Sequence, residues 1–570
     1  MSINRSHLAR TALAAWQAAK PTDYLQTDPN IQQILQMHLG ESYQHHLALL
    51  TKAAQLSATR MDSLAIASNR DENLPRLNRF NGIGERTEEV VFHPAYHELG
   101  ACVWDTGVLA VLAESGNELL SGALAYFIDH NGEAGHACPV ACTAGLIKLL
   151  QQVGTSGQRQ TYLPRLLALD YARRLHASQF VTEIQGGSDV AVNSCVAIPD
   201  AARPGWYRIS GEKWFCSVID AGVFVVTARP AGAPEGTQGL ALFLVPRSMD
   251  GAVNGFSIRR LKYKLGTRSL ASAEVDFSGA LAEAIGPLDT GFRNLVSIVL
   301  DTSRVHNAIA ACGLMRRAYI EAHCFARHRS AFGRAIIGHP PLARIIARMK
   351  VISSAAVATT FRLLAMSDHL AAGGAPDDLM KARRSLVNIN KYWTSIQCTR
   401  VVRDAIEVLG GNGTIEEFSV LPRLYRDSIV LESWEGTHNT LCAQVLRDFA
   451  TRGLHDPLLA ELHQMLAGIR QPSLAAHRSR AALQLDEVRV RIDRLLSGDT
   501  DYASLHIRDV IDRLCELNGF LCLLIELDWE LGLKIESGKA LIVDFYRHLF
   551  VDHSDPMDQA GMPGLIHGII

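Results

Sequence analysis

Val223-Phe-Val-Val-Thr-Ala228 and Leu240-Ala-Leu-Phe-Leu-Val245 are two short runs of β-branched and aromatic residues, separated by a stretch rich in Pro and Gly. Runs of this length and composition, bounded by turn residues, read as strands. Trp206-Tyr-Arg-Ile-Ser210 precedes them, and Phe256-Ser-Ile-Arg-Arg260 and Ala273-Glu-Val-Asp-Phe277 follow. Pro, Gly and Asp clusters recur between them at regular intervals. The stretch 180–285 therefore predicts a compact antiparallel barrel or sandwich. Outside it the period changes. Leu119-Leu-Ser-Gly-Ala-Leu-Ala-Tyr126 and Ala144-Gly-Leu-Ile-Lys-Leu-Leu150 repeat apolar residues at three and four positions, the helical spacing.

Working outward gives four segments. Residues 1–179 read as an N-terminal extension and a helical domain, with helices at 4–19, 28–38 and 40–56 and a connector at Asn69-Arg-Asp-Glu-Asn-Leu-Pro75. Residues 180–285 form the β domain. Residues 286–450 carry long helical patterns from Phe292 to His328, Leu342 to Ala371 and Asp377 to Leu409, with a fourth after Thr437. That is the signature of an antiparallel four-helix bundle. Residues 451–570 form an extra helical domain, with helices near 456–467, 473–497, 502–531 and 537–551. The fold class expected is mostly α with one small β-barrel domain.

Bulk properties narrow the function classes. A chain of 570 residues exceeds one compact core, and two to four domains are expected. The net charge is −2, which offers no electrostatic case for nucleic acid or an anionic membrane. Segment 451–570 holds 12 Lys/Arg against 18 Asp/Glu, so it is net acidic. Phe520-Leu-Cys-Leu-Leu-Ile-Glu-Leu527 is interrupted by Glu526, Asp528 and Glu530 and is too short to span a bilayer. Met1-Ser-Ile-Asn-Arg-Ser6 has no apolar signal core. The 11 cysteines include no Cys-x-x-Cys, which fits reduced, buried thiols in a cytoplasmic protein. Cys138, Cys142 and His136 are too few donors at poor spacing for a metal, and no metal site is expected.

Chemistry concentrates between Val408 and Asn439. Val408-Leu-Gly-Gly-Asn-Gly-Thr414 is a glycine-rich turn, and Arg423-Leu-Tyr-Arg-Asp427 a charged helix face. Glu432-Ser-Trp-Glu-Gly-Thr-His-Asn439 puts Glu435 beside a Gly-Thr turn. A carboxylate there can act as a base while nearby backbone N–H groups hold a polarised oxygen. Trp434 argues for a more apolar setting than a solvated surface acid would have.

Earlier in the chain, Val181-Thr-Glu-Ile-Gln-Gly-Gly-Ser-Asp189 offers hydroxyls and glycines that admit a ligand close to the backbone, although Gly-Gly-Ser is commonly only a turn. Gly211-Glu-Lys-Trp-Phe-Cys-Ser217 pairs aromatic rings with a hydroxyl, suited to a flat cofactor or to a barrel core. Asp301-Thr-Ser-Arg304 puts an acid and a base on one helix face, as a surface ion pair also would. Arg329-Ser-Ala-Phe-Gly333 ends the helix with a guanidinium suited to phosphate.

In order and spacing these motifs resemble the acyl-CoA dehydrogenase family over roughly residues 90–450. The resemblance implies FAD as cofactor, with Thr182 and Ser217 bonding the flavin, Phe215 stacking on it, and Ser188 near substrate or pyrophosphate. Trp214 stands one residue early for the family's stacking ring. Asp301 and Arg304 would contact the acyl-CoA, as would Trp434 and Gly436. Arg329, Phe332, Gly410 and Gly411 would bind the FAD of a neighbouring subunit, and Thr437 and Asn439 would touch FAD. Two glutamines common in the family are replaced by Pro340 and Glu407, and Asn439 stands where glutamine is common. Some members carry the catalytic base at the place of Ser303. Serine cannot fill that role, so Glu435 is the expected base.

Phe92-His-Pro-Ala-Tyr-His97, Cys138-Pro-Val-Ala-Cys-Thr143 and Lys213-Trp-Phe-Cys-Ser217 are similar to the AidB-type branch, which also carries an N-terminal extension and an extra C-terminal helical domain. The resemblance implies oxidation of a fatty or branched acyl-CoA to the trans-2-enoyl-CoA, an electron-transfer flavoprotein as acceptor, and a homotetramer, or else a dimer. An AidB-type protein with a mainly binding or stress-response role is the alternative. The acidic C-terminal segment argues against DNA as a partner.

Overall fold

The computed structural model describes residues 5–552, 557 and 561–570. They fall into two compact units. One comprises Arg60–Ala125 and Glu133–His306; the other comprises Met1–Thr59, Tyr126–Gly132 and Asn307–Ile570.

The first unit holds the sheet. A hairpin, β1 (Arg76–Phe80) and β2 (Arg86–Val91), is followed by helices Pro94–Asp105, Ala134–Val153 and Ser156–Leu166. Thr155 opens the last of these with a capping box, its hydroxyl accepting from Gln158 N and the Gln158 side chain accepting from Thr155 N. Then come β3 (Ala177–Phe180), β4 (Val196–Pro199), β5 (Trp206–Ser217), β6 (Val223–Pro230), β7 (Ala241–Pro246), β8 (Phe256–Leu261) and β9 (Ser272–Ala284). Neighbour by neighbour, β5–β4–β6–β7–β9 returns to β5, so five strands close a small barrel. Closure removes the edges that an open sheet would leave unpaired. Most pairings are antiparallel, while β3 and β4 both run parallel to β6.

The Val223 and Leu240 runs are buried on both faces as β6 and β7, which is why they read as continuous apolar stretches. The β1–β2 hairpin was not expected from the sequence, because Arg76-Leu-Asn-Arg-Phe80 and Arg86-Thr-Glu-Glu-Val-Val91 are too polar to show a strand pattern. Its Glu88 is fully buried and accepts a hydrogen bond from Ile258 N at 2.9 Å.

The second unit is helical. Its long helices are Pro340–Ala371 and Asp377–Leu409, joined by Leu421–Ser433 and His438–Arg452 and by the larger part of Leu300–His328. Pro340–Ala371 is the one described helix long and apolar enough to cross a membrane, but 83% of its apolar window is buried within the protein. Helices His455–Gly468, Ala475–Ser497, Thr500–Gly532 and Lys539–Tyr546 match the expected C-terminal pattern within a few residues, and Met562–Ile569 adds a helix that was not expected.

The N-terminal helices Arg5–Ala18, Pro29–Leu39 and Ser42–Leu56 belong to this second unit. Trp16 stacks on Phe418 at 5.1 Å and meets Phe325 edge-on at 5.3 Å. Arg316 pairs with Asp28 at 3.0 Å, and Arg317 binds Glu321 at 2.9 Å and the Tyr24 hydroxyl at 2.8 Å.

Candidate functional site

In the barrel unit, the Thr182 loop leaves β3 and is tied down from beneath. Glu183 and Lys213 are both buried, with Nζ 2.7 Å from Glu183 Oε1. Lys213 Nζ also donates to Thr227 Oγ1, and the Glu183 carboxylate accepts from Ser194 N, Ser194 Oγ and Cys195 N. Burial pushes the Glu183 carboxyl up, but Lys213 and these donors outweigh it and hold it at about 2. Neither member was singled out from sequence, though a lysine directly before two barrel aromatics was a readable signal. Thr182 is half-buried and its carbonyl accepts from Trp214 N at 2.9 Å; Ser188 is exposed further along the loop.

That hydrogen bond joins the loop to an irregularity in β5. Cys216 pairs with Ala273 and Lys213 with Val275, so Trp214 and Phe215 together face Glu274. One extra residue on β5 makes a bulge, which re-aims side chains that would otherwise alternate. Both rings consequently meet one cation: Lys262 Nζ lies 3.6 Å from the Trp214 centroid and 4.6 Å from that of Phe215. Phe215 keeps 50% of its surface exposed, a flat face open to a ligand. Ser217 ends the strand, its hydroxyl 2.9 Å from that of Ser272. Asp301 is half-buried and Arg304 is buried, so neither is a fully solvated surface charge. Ser303 Oγ donates to Gln179 Oε1 at 3.3 Å.

The helical unit holds the remaining residues in two groups. Arg329, Gly410 and Gly411 line one cavity of about 590 Å³, together with Glu407 and Asn412. Gly410 adopts φ +63°, and a Cβ on Gly410 or Gly411 would meet no atom within 4 Å. The space before this turn is therefore open to another molecule. Phe332 tops the hairpin Ser330–Ala335 at φ 53° and is 97% exposed. The Arg329 guanidinium beside the open glycines suits a phosphate group.

The second group is the turn at Glu435, between helices Leu421–Ser433 and His438–Arg452. Trp434 and Gly436 are half-buried, and Thr437 and Asn439 exposed. Thr437 holds the N-cap position of the second helix without a side-chain bond to its backbone, and its hydroxyl lies 2.9 Å from that of Thr440. Glu435 has φ 57°, a left-handed conformation that costs a non-glycine residue about 1–2 kcal/mol. Such a conformation persists only where the surroundings over-determine it. Here the surroundings include Lys391, a fully buried lysine whose Nζ donates to Gly436 O at 2.9 Å and Glu432 O at 3.1 Å, on either side of Glu435. Glu432 accepts from Thr399 Oγ1 and from His438 Nε2 at 2.8 Å. Burial raises the Glu432 carboxyl, yet these hydrogen bonds, with the charges of His438 and Lys391, leave it below the ordinary range. Sequence offered no signal for Lys391, which sits in a helix otherwise filled with core and polar residues.

Three family models match in order: the AidB N-terminal domain over residues 16–173, the acyl-CoA dehydrogenase middle domain over 178–280 and the acyl-CoA dehydrogenase C-terminal domain over 289–449. The chain belongs to the acyl-CoA dehydrogenase family. This dehydrogenase is 30% identical over 514 residues to acyl-CoA dehydrogenase family member 11 of Caenorhabditis elegans, covering 85% of this chain and 82% of that one. It is 34% identical over 398 residues to the putative acyl-CoA dehydrogenase AidB of Escherichia coli (strain K12), covering 68% and 71%. The solved structure of C. elegans ACDH-11 in complex with C11-CoA superposes with a TM-score of 0.84 at 26% identity, covering 93% of this chain and 91% of that one. The dehydrogenase is thus an FAD-dependent enzyme of the AidB-like branch. Among its described residues, no group of three or more His, Cys, Asp or Glu is placed to hold a metal, and nine of its cysteines are buried and two half-buried.

Proposed function

We propose that the dehydrogenase removes hydrogen from the α and β carbons of a fatty or branched acyl-CoA, with Glu435 as the base. The observation that carries this reading is the Glu435 turn: a carboxylate held at positive φ, next to backbone N–H groups of Gly436 and Thr437. Glu435 takes the α-proton, and Thr182, Ser217 and the open face of Phe215 hold the flavin. Arg329, Phe332, Gly410, Gly411, Thr437 and Asn439 supply further FAD contacts. On the family pattern, Asp301 and Arg304 contact the pantetheine and adenosine of the acyl-CoA, Ser188 its pantetheine or pyrophosphate, and Trp434 and Gly436 also contact the substrate. FAD bound there would supply the acceptor for the β-hydride in forming the trans-2-enoyl-CoA. An α-proton is a poor acid, so the backbone N–H at Glu435 stabilises the developing charge on the thioester oxygen. The C11-CoA carried by the C. elegans relative supports an acyl-CoA substrate.

An electron-transfer flavoprotein would reoxidise the flavin. Contacts from Arg329 and Gly410 across a subunit boundary call for a homo-oligomer, a tetramer on the family pattern. The acidic 451–570 segment disfavours DNA. Glu435→Gln tests the assignment directly. The variant is expected to keep its FAD and to lose anaerobic bleaching by a panel of acyl-CoA thioesters. Wild-type turnover in E435Q would remove Glu435 from the chemistry.

A further inference from the structure

We infer that the C-terminal helical segment acts as a buttress for the base turn, through Tyr392 and the Glu432–His438 pair. The inference rests on Glu435 as the base and gives the extra segment a task in the same reaction.

The chain of contacts lies wholly within the helical unit. Helix Thr500–Gly532 carries Arg508 and Asp512 one turn apart. Both grip a single hydroxyl: Tyr392 Oη donates to Asp512 Oδ1 at 2.6 Å and accepts from Arg508 Nε at 2.9 Å. Burial, and then the Asp512 carboxylate, push the Tyr392 hydroxyl up, so it remains a donor. The grip fixes the tyrosine ring, which meets the His438 ring edge-on at 5.4 Å and 90°. His438 in turn donates from Nε2 to Glu432, whose other oxygen is held by Thr399. Glu432 and His438 lie three residues before and after Glu435. Lys391, next to Tyr392 on the same helix, closes the backbone over that span.

Each contact restrains the others. With the His438 ring held, its Nε2 has one direction in which to donate, and Glu432 fills it. The last turn of Leu421–Ser433 is thereby pinned to the first turn of His438–Arg452, and the four residues between them have little freedom. A base displaced by an ångström loses orders of magnitude in rate, because proximity and alignment account for much of the barrier. Tyr392, Thr399, Glu432 and His438 are positioning residues in this scheme.

The test uses the intact FAD-loaded protein and two readouts. Tyr392→Phe keeps the ring and removes the grip of Asp512 and Arg508. Asp512→Asn is a milder variant should Y392F fold poorly. Thr399→Val removes the hydroxyl on Glu432, and Thr399→Ser restores it. Y392F and T399V are expected to slow flavin reduction at saturating acyl-CoA at least tenfold, with the half-saturating concentration and FAD content within twofold of wild type. Amide hydrogen exchange across residues 432–437 is expected to rise at least tenfold, and T399S to stay near wild type in both. Unchanged exchange in Y392F and D512N overturns the buttress whatever the activity. A wild-type flavin that no acyl thioester bleaches overturns the base assignment instead, so the two failures are distinguishable.

Discussion

Glu183 and Lys213 carry opposite charges into a part of the barrel where neither side chain meets solvent. Two buried charges lose hydration that only close pairing and further hydrogen bonds recover, and here both are present. Removing one partner leaves the other uncompensated, so Lys213→Met should destabilise the barrel by about 3–5 kcal/mol, read from its denaturant midpoint. Glu183 also sets a pH dependence. Its folded pKa lies at about 2, below the ordinary 4.5. The stability it contributes is therefore complete above pH 4.5 and is lost as pH falls toward 2. Glu183→Gln should flatten that acid limb in a pH series of denaturation midpoints; an unchanged limb would assign the acid sensitivity to other carboxylates. The Thr182 loop itself was legible as a Gly-Gly-Ser motif. The buried pair beneath it was not, since a single glutamate and lysine 30 residues apart have no spacing that links them before the barrel closes.

At the scale of the element, the bulge in β5 decides what the aromatic pair can do. In a regular strand, Trp214 and Phe215 would point to opposite faces. The extra residue opposite Glu274 lets Lys262 contact both rings while Phe215 keeps an open face. Phe215→Ala should therefore weaken FAD retention about two- to tenfold, on the scale of a lost stacking contact of about 0.5–1.5 kcal/mol. Thermal stability should change less than for a core phenylalanine, because half of the residue's surface is exposed. A loss of stability without loss of flavin would make Phe215 a core residue. The one-residue offset of Trp214 was visible in the sequence, but its consequence depends on strand register, which cross-strand pairing sets. The β1–β2 hairpin was hidden for a related reason: its residues show no alternation, and backbone hydrogen bonds and the buried Glu88 hold it in place.

On the scale of the whole molecule, the first 59 residues share a compact unit with the C-terminal half. Trp16 is a core residue of that unit, packed against Phe325 and Phe418. Trp16→Ala should lower its stability by about 3–5 kcal/mol, measured by circular dichroism in denaturant; a change under about 1 kcal/mol would make the N-terminal helix peripheral. Light scattering on the FAD-loaded protein addresses assembly. A tetramer is expected, and a monomer with full flavin content would remove the cross-subunit role of Arg329 and Gly410.

The sequence by itself determined the class of each segment and the order helical, β, helical. It also determined the motifs of the acyl-CoA dehydrogenase family and Glu435 as the candidate base. These depend on local periodicity and short spacings, which the chain carries in its own order. Tertiary structure alone decided the closure of the barrel, the bulge that turns Trp214 and Phe215 to one cation, the burial of Arg304, the Glu183–Lys213 pair and the Lys391 bracket around Glu435. Each of these is a contact between residues distant in sequence or a choice of register. Its energy exists only once folding has removed water and brought the partners together.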